Sequence, residues 1–389
     1  MSYTKYTNQE FQELTDNGQI NIMALFGNGI DIQLMEYLES PYRTSYQNFY
    51  NYLCYKNFYK DNMIFQKMTK DKKENEKNST IKQNWSDFEN SLIEIFNENN
   101  YINEARLTDD FNHFQVEFSN FLNEIIYPGM LAHIGYISTE KGIAIKSFTN
   151  FLGDLDEEDY KKLYFPSIQK HYKLFNWEIL NFNYTSLLDN VLMLDKGQFD
   201  PHPWPHADRQ IQFYVNPHGY KNNYTFWRSD TNFSTYIMTN ISHPHGYQNV
   251  PKSMLFGFDN ENQITKSYNR AYAKYFLKPY WAQNDKRYKS YFNDTHLFII
   301  YGMSIGISDY WWWNNILLSI YYTEAELIIY SYGTNESKYD VMDRFIDIAL
   351  KWDGSGKDQY QRELLYSKIA VVQYDSETKL HAFKLDRLD

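Results

Sequence analysis

Ile20-Asn21-Ile22-Met23-Ala24-Leu25-Phe26-Gly27-Asn28-Gly29-Ile30-Asp31 reads as an apolar strand, a glycine turn and the start of a helix. This is the usual opening of an α/β sheet that binds a nucleotide. One glycine permits the tight turn and the next lets the backbone approach a phosphate. Backbone N–H groups at the start of the following helix can hold an anion. A structural turn reads the same way, so the stretch gains meaning only from partners elsewhere in the chain.

The chain has 389 residues, 43% of them hydrophobic, enough for a large core with an insertion. Its 37 Tyr and 27 Phe supply apolar surface, with a polar tip on each tyrosine. A net charge of −11 argues against a broad DNA-coating surface, though not against a small local basic site. The single cysteine, Cys54, cannot form an internal disulfide and excludes a Cys-rich metal site. No apolar run reaches the ~18 residues of a membrane helix, and the first ten residues lack a signal-peptide core. A soluble, cytoplasmic protein is expected.

Taken in order, the pattern predicts a first strand at 20–26 and a helix at 32–38. A mostly helical stretch over 40–170 follows, then strands at 178–182, 211–215, 236–241, 296–301, 327–330 and 369–374. Residues 8–15 read as a short lead helix and 265–282 as a longer one. The polar run 69–80 reads as a solvated loop. Ser86 and Glu89 have capping-box spacing before Leu92, Ile93 and Phe96. Phe111, Phe114, Phe118, Phe121, Leu122 and Ile125 form one stripe of a helix over 108–127. Ser308 or Asp309 is placed to cap a helix through Trp311, Trp312 and Trp313. The expected fold is Rossmann-like α/β, with a mostly parallel sheet and a large helical insertion after the first strand. Its organisation is 1–39 for the first strand and glycine loop, 40–170 for the insertion, and 171–389 for the rest of the core.

Four strands end directly in polar or glycine motifs. They are Gly27-Asn28-Gly29 with Asp31, Asn183-Tyr184-Thr185, His245-Gly246, and Gly302-Met303-Ser304. In a parallel sheet all these ends lie on one edge, the edge where open α/β sheets bind ligands. The group chemistry is compatible. Glycine turns suit a pyrophosphate, Asp31 can accept from ribose hydroxyls, and Asn183 can donate and accept at once. His245 has the side chain that ordinarily titrates near neutrality, so it is a candidate general base. His218-Gly219 offers a second His-Gly pair, and the choice between the two histidines stays open. His202, His206 and Asp208 could ligate a metal, but a rigid loop accounts for them better and no metal is expected.

With these motifs in view, the chain resembles the AbiH family of bacteriophage abortive-infection proteins. The resemblance rests on LFGNGID, TSYQNFYNYL, NWSDFENSL, NFNYTSLLDNVL, HPHGYQNVPKSMLFGFDN and IIYGMSIGISDYWWW, spanning about 22 to 330. Two positions depart from the family's habit, Ile30 where Phe is common and Met303 where His is. The motif order is also similar to the sirtuin-like NAD-binding fold. That resemblance implies phosphate binding at Gly27, Asn28 and Gly29, ribose contact at Gly302 and Ser304, and a catalytic pair Asn183 and His245. Thr185, Gly246 and Asp31 belong to the same motifs. The implied function is an anti-phage effector that takes NAD as substrate and cleaves its nicotinamide–ribose bond. A phage protein as trigger and a homo-oligomer are the expected partners, with no nucleic acid and no membrane. Two rival readings remain. One is a metal-dependent nuclease using Asp375, Glu377 and Lys379, and the other is a module that senses a nucleotide or phage protein without turnover.

Overall fold

The computed structural model describes residues 2–11, 14, 18–77, 85–194, 211–224, 231–333, 335–352 and 361–385. Among them the strands are β1 (Gln19–Phe26), β2 (Lys173–Asn181), β3 (Gln212–Phe213), β4 (Phe233–Ser242), β5 (Leu297–Tyr301), β6 (Glu326–Tyr332) and β7 (Ile369–Tyr374). They form one sheet in the order β3-β4-β2-β1-β5-β6-β7. Every pairing is parallel except that of β3 with β4 at the edge. The protein is thus a mixed α/β fold on a mostly parallel sheet.

Among the described residues, eight α-helices lie between β1 and β2: α1 (Asn28–Tyr37), α2 (Tyr46–Tyr55), α3 (Met63–Lys77), α4 (Phe88–Glu98), α5 (Glu104–Ile125), α6 (Pro128–Lys141), α7 (Ile143–Asn150) and α8 (Glu157–Lys162). After β2 come α9 (Leu187–Leu192), four short helices α10 (Arg270–Ala273), α11 (Lys278–Trp281), α12 (Asn284–Arg287) and α13 (Lys289–Asp294), then α14 (Tyr310–Tyr322), α15 (Lys338–Ala349) and α16 (Arg362–Lys368). No helix among the described residues is long and apolar enough to cross a membrane.

Both faces of the sheet are covered, so every residue of β2 and β5 is buried, including the polar Lys173, Asn176, Glu178 and Asn181 of β2. Alternate residues of β1 serve opposite cores. Ile20, Ile22, Ala24 and Phe26 pack with the helices that precede β2, while Met23 and Leu25 pack with α14 and α15. The phenylalanine stripe of α5 meets α2 and α4 through edge-on ring contacts. Phe114 lies 5.0 Å from both Phe49 and Phe88, and Phe118 lies 5.3 Å from Phe256.

Four local expectations change. The charged stretch from Thr69 to Lys77 is the end of α3, not a loop, because Lys67 pairs with Asp71 and Glu94 and so holds α3 against α4; residues 78–84 lie outside the described set. Asp87, not Ser86, caps α4, accepting from the N–H groups of Glu89 and Asn90. The single helix expected over 265–282 is a chain of short turns, interrupted at the extended residue Leu277 and followed by Gln283 with a φ of 54°. Residues 8–10 form a turn only.

Candidate functional site

The register sets the site. Phe26 stands beside Asn181 on one side and Tyr301 on the other, so Gly27, Phe182 and Gly302 follow at the same level. Leu180 pairs with Ser242, which brings His243 to that edge too. From β1 the chain reaches β2 in one direction and β5 in the other. Such a reversal leaves a crevice beyond the carboxyl ends of the strands. Here it holds a cavity of about 450 Å³, within the usual size of small-molecule sites. A larger hollow of about 970 Å³ lies at the opposite edge, around Asn21, His296 and Glu326. It sits at the strands' amino ends, away from the four motifs, so size alone does not favour it.

Of the residues singled out from sequence, Gly27, Asn28, Asp31, Asn183, Thr185, His245, Gly302 and Ser304 line the smaller cavity; Gly29 and Gly246 do not. Gly246 is a turn residue with a φ of 89°, and a Cβ there would lie 2.0 Å from the Ser253 carbonyl oxygen. His218 is elsewhere, its Nε2 2.7 Å from the Gly153 carbonyl oxygen. His245 is therefore the histidine of this cavity. His202, His206 and Asp208 lie outside the described residues. Asp375 accepts from the N–H groups of Glu377 and Thr378 in its own turn. No group of three or more His, Cys, Asp or Glu placed to hold a metal occurs among the described residues.

The glycine loop does something other than expected. Gly27 N–H donates to Tyr301 O at 3.0 Å, and Gly29 N–H donates to Gly302 O at 2.8 Å. A Cβ on Gly29 would sit 2.6 Å from Gly302 Cα. The glycines thus allow the loops after β1 and β5 to touch backbone to backbone, and both N–H groups are engaged within the chain. Asn28 is tied sideways, its Oδ1 accepting from the Thr44 hydroxyl at 2.6 Å.

Asn183 donates from Nδ2 to Gly27 O at 3.1 Å, and its own N–H donates to Asn181 Oδ1 at 3.0 Å. His243 supports this turn from behind. Its Nδ1 is 2.8 Å from Asn183 O and its Nε2 is 2.9 Å from Asp189 Oδ1, while Asn181 Nδ2 donates to Asp189 Oδ2. Asp31, on α1, does not cap its helix. It is fully buried, and its Oδ2 accepts from the Thr185 hydroxyl at 2.5 Å. Its Oδ1 has no partner, and burial foremost pushes its carboxyl up to about 7.

The cavity also holds a charge cluster that sequence reasoning missed. Lys278 Nζ lies 3.0 Å from Asp309 Oδ1 and 3.3 Å from Glu89 Oε2, all three side chains being largely buried. A parallel bridge between Phe258 and Leu277 sets Asp259 next to Lys278 in the chain fold. Asp259, not Asp309, meets the start of α14, accepting from Trp311 N–H at 2.9 Å. Burial outweighs the Lys278 charge at Glu89 and pushes its carboxyl up to about 7. At Asp309 burial likewise pushes upward, but the Lys278 charge prevails and holds the carboxyl below its ordinary range. The His245 ring packs edge-on against Phe182, with Nε2 3.7 Å from Asp309 Oδ1. Burial foremost, then Lys278, drives its pKa down to about 3. The imidazole is therefore neutral at physiological pH, and the expected titration near neutrality belongs to Glu89 and Asp31 instead.

Each missed residue had a local explanation. Glu89 fits the spacing of a capping partner, Asp309 fits a helix cap, and Lys278 falls inside the helix expected over 265–282. The one usable signal was Phe258-Asp259, an acid placed directly after an apolar run. The lining now includes the acids Asp31, Asp87, Glu89 and Asp309 against one lysine. Perturbed acids gathered in a crevice make it a candidate functional site.

No curated protein matches this chain. A family model described as bacteriophage abortive infection AbiH matches residues 23–331, from the middle of β1 into β6 and so across the whole cavity. The chain belongs to the AbiH family, which points to a role in abortive infection by phage.

Proposed function

We propose that the protein is a cytoplasmic anti-phage effector that binds NAD in the strand-end cavity and hydrolyses the nicotinamide–ribose bond. The carrying observation is the meeting of Asn183, His245, Asp31 and Glu89 in one crevice at the carboxyl edge of a parallel sheet. The strand order around β1 supports a Rossmann-like, sirtuin-like use of that edge. The acidic lining suits a cationic nicotinamide ring and the positive ribose centre that forms as it leaves. In this reading the pyrophosphate lies toward the mouth, because the N–H groups of Gly27 and Gly29 are engaged elsewhere.

The reaction breaks the bond between ribose C1′ and the ring nitrogen, and the bonding electrons leave with nicotinamide. Water oxygen then bonds to C1′. Its proton passes to the Glu89 carboxylate, whose pKa near 7 suits proton transfer at cellular pH. The free Oδ1 of Asp31 accepts from a ribose hydroxyl, and neutral His245 hydrogen-bonds a second one. Asn183 orients the sugar or the water. The products are ADP-ribose, nicotinamide and a proton.

Purified protein incubated with NAD, alone and with lysate of phage-infected cells, should release nicotinamide measurable by chromatography. Asn183→Ala and His245→Ala should each abolish most of it. Release that survives both substitutions would sink the site assignment, and none in either condition would count against hydrolysis.

A further inference from the structure

Residues 266–289 carry seven Lys or Arg against one acid, Asp285, in a chain of net charge −11. The same stretch presents large aromatic side chains to solvent. Tyr275, Tyr280 and Trp281 are 65%, 68% and 50% exposed. The rings of Tyr280 and Trp281 lie 5.4 Å apart at right angles, and the indole N–H donates to Tyr275 O at 2.9 Å. That bond fixes the indole on the surface without covering it. Lys274 and Arg287 flank the aromatics and are exposed. Lys278 is buried and tightly paired, but two surface cations of the stretch meet acids only at the limit of ion-pair distance, Lys274 at 4.0 Å from Glu261 and Lys289 at 3.9 Å from Asp285.

We propose that this surface binds single-stranded nucleic acid. Bases stack on Tyr280, Trp281 and Tyr275, and Lys274 and Arg287 meet the phosphates. Aromatic platforms beside exposed cations are how proteins hold single strands without reading sequence, because every base offers a π-face. A membrane fits less well. The large exposed hydrophobic residues of the stretch are Tyr268, Tyr275, Tyr280 and Trp281, with no aliphatic among them. The backbone is a series of short turns, whereas interfacial binding uses a continuous amphipathic helix. The overall negative charge does not oppose the proposal, since screening confines each charge's reach to about 10 Å.

The platform is joined to the cavity. Tyr280 and Trp281 belong to α11, whose first residue is the buried Lys278, and Ala282 N–H donates back to Lys278 O at 2.8 Å. The turn that offers rings to solvent is the turn that delivers the cavity's lysine. Binding itself does not depend on what the cavity does.

The test uses the full chain and fluorescein-labelled oligothymidylate and oligouridylate of about 20 nucleotides, read by anisotropy. Saturable binding at about 50 mM salt is expected, with the association constant falling as salt rises. Trp281→Ala and Tyr280→Ala should each weaken binding about tenfold, as should Lys274→Glu combined with Arg287→Glu. Circular dichroism identifies any variant that has unfolded. No binding of either oligonucleotide, or binding untouched by the aromatic substitutions, would overturn the proposal. So would binding to phosphatidylserine vesicles in place of the oligonucleotides. Preference between the two oligonucleotides tells DNA from RNA.

Discussion

The Lys278 ammonium lies 3.0 Å from the Asp309 carboxylate, with both side chains removed from bulk water. Burial alone would push the lysine down, yet Asp309, Glu89 and Asp259 together raise it well above its ordinary value. The cation is thus permanent, and Lys278→Met would leave its acids uncompensated. Breaking one side of a buried pair costs about 3–5 kcal/mol. Urea unfolding at pH 7.5 should show a loss of that order. The loss should shrink on acidification as the stranded carboxyls take up protons, and a loss independent of pH would contradict the assigned pairing.

Asp31 titrates about three units above its ordinary 3.8. Its folded pKa exceeds its unfolded one, so the stability it contributes is full below about pH 4 and is lost as pH rises through about 7. Asp31→Asn keeps an oxygen for the Thr185 hydroxyl and removes the charge. The variant should match the parent near pH 4 and exceed it by at least about 1 kcal/mol at pH 8. Chemical unfolding at the two pH values measures this. His245 has the opposite sign. Its depressed pKa leaves its contribution intact above about 6.5 and lost as pH falls toward 3.

Gly302 and Gly142 share a left-handed backbone, with φ of 63° and 62°, but differ in surroundings. A Cβ on Gly302 would meet Ile30 N at 2.8 Å, whereas nothing lies within 4 Å of one on Gly142. Alanine at either site bears the backbone strain of about 1 kcal/mol. Gly302→Ala should cost about 1–3 kcal/mol more, because it also forces the loops after β1 and β5 apart. Thermal midpoints of the two variants provide the comparison, and equal losses would refute the close contact.

Under the proposed reaction, Glu89→Gln removes the proton acceptor and little of the shape. Nicotinamide release should fall by about 100-fold or more. NAD binding measured by calorimetry should change far less. A variant that loses binding and turnover together would place Glu89 in substrate recognition instead.

The mostly parallel sheet and the edge where its motifs gather were legible because strand ends announce themselves locally. An apolar run such as Ile22 to Phe26 stops at glycine, and parallel pairing does the rest. The charge cluster was not legible. Glu89 and Lys278 are 189 residues apart in sequence, and each satisfies a local rule that explains it away. Asp309 stands at the start of α14 but makes no cap there, its carboxylate being taken by Lys278, while Asp259 receives the Trp311 N–H. Gly29 carries a related ambiguity. A glycine needed for close approach looks the same in sequence whether the approaching group is a phosphate or the backbone of Gly302.

β1 is synthesised first and completed late. Its two neighbours are β2 and β5, and β5 begins at Leu297. At about 5–20 residues per second, the ribosome needs roughly 15–55 s to travel from Phe26 to Leu297. Through that interval the first strand has at least one open edge, and the crevice lacks the wall made by Gly302, Ser304 and Asp309. This order of assembly leaves the cavity open on one side until β5 has been made. A chain ending before β5 lacks the wall made by Gly302, Ser304 and Asp309, so the cavity is complete only once most of the polypeptide exists.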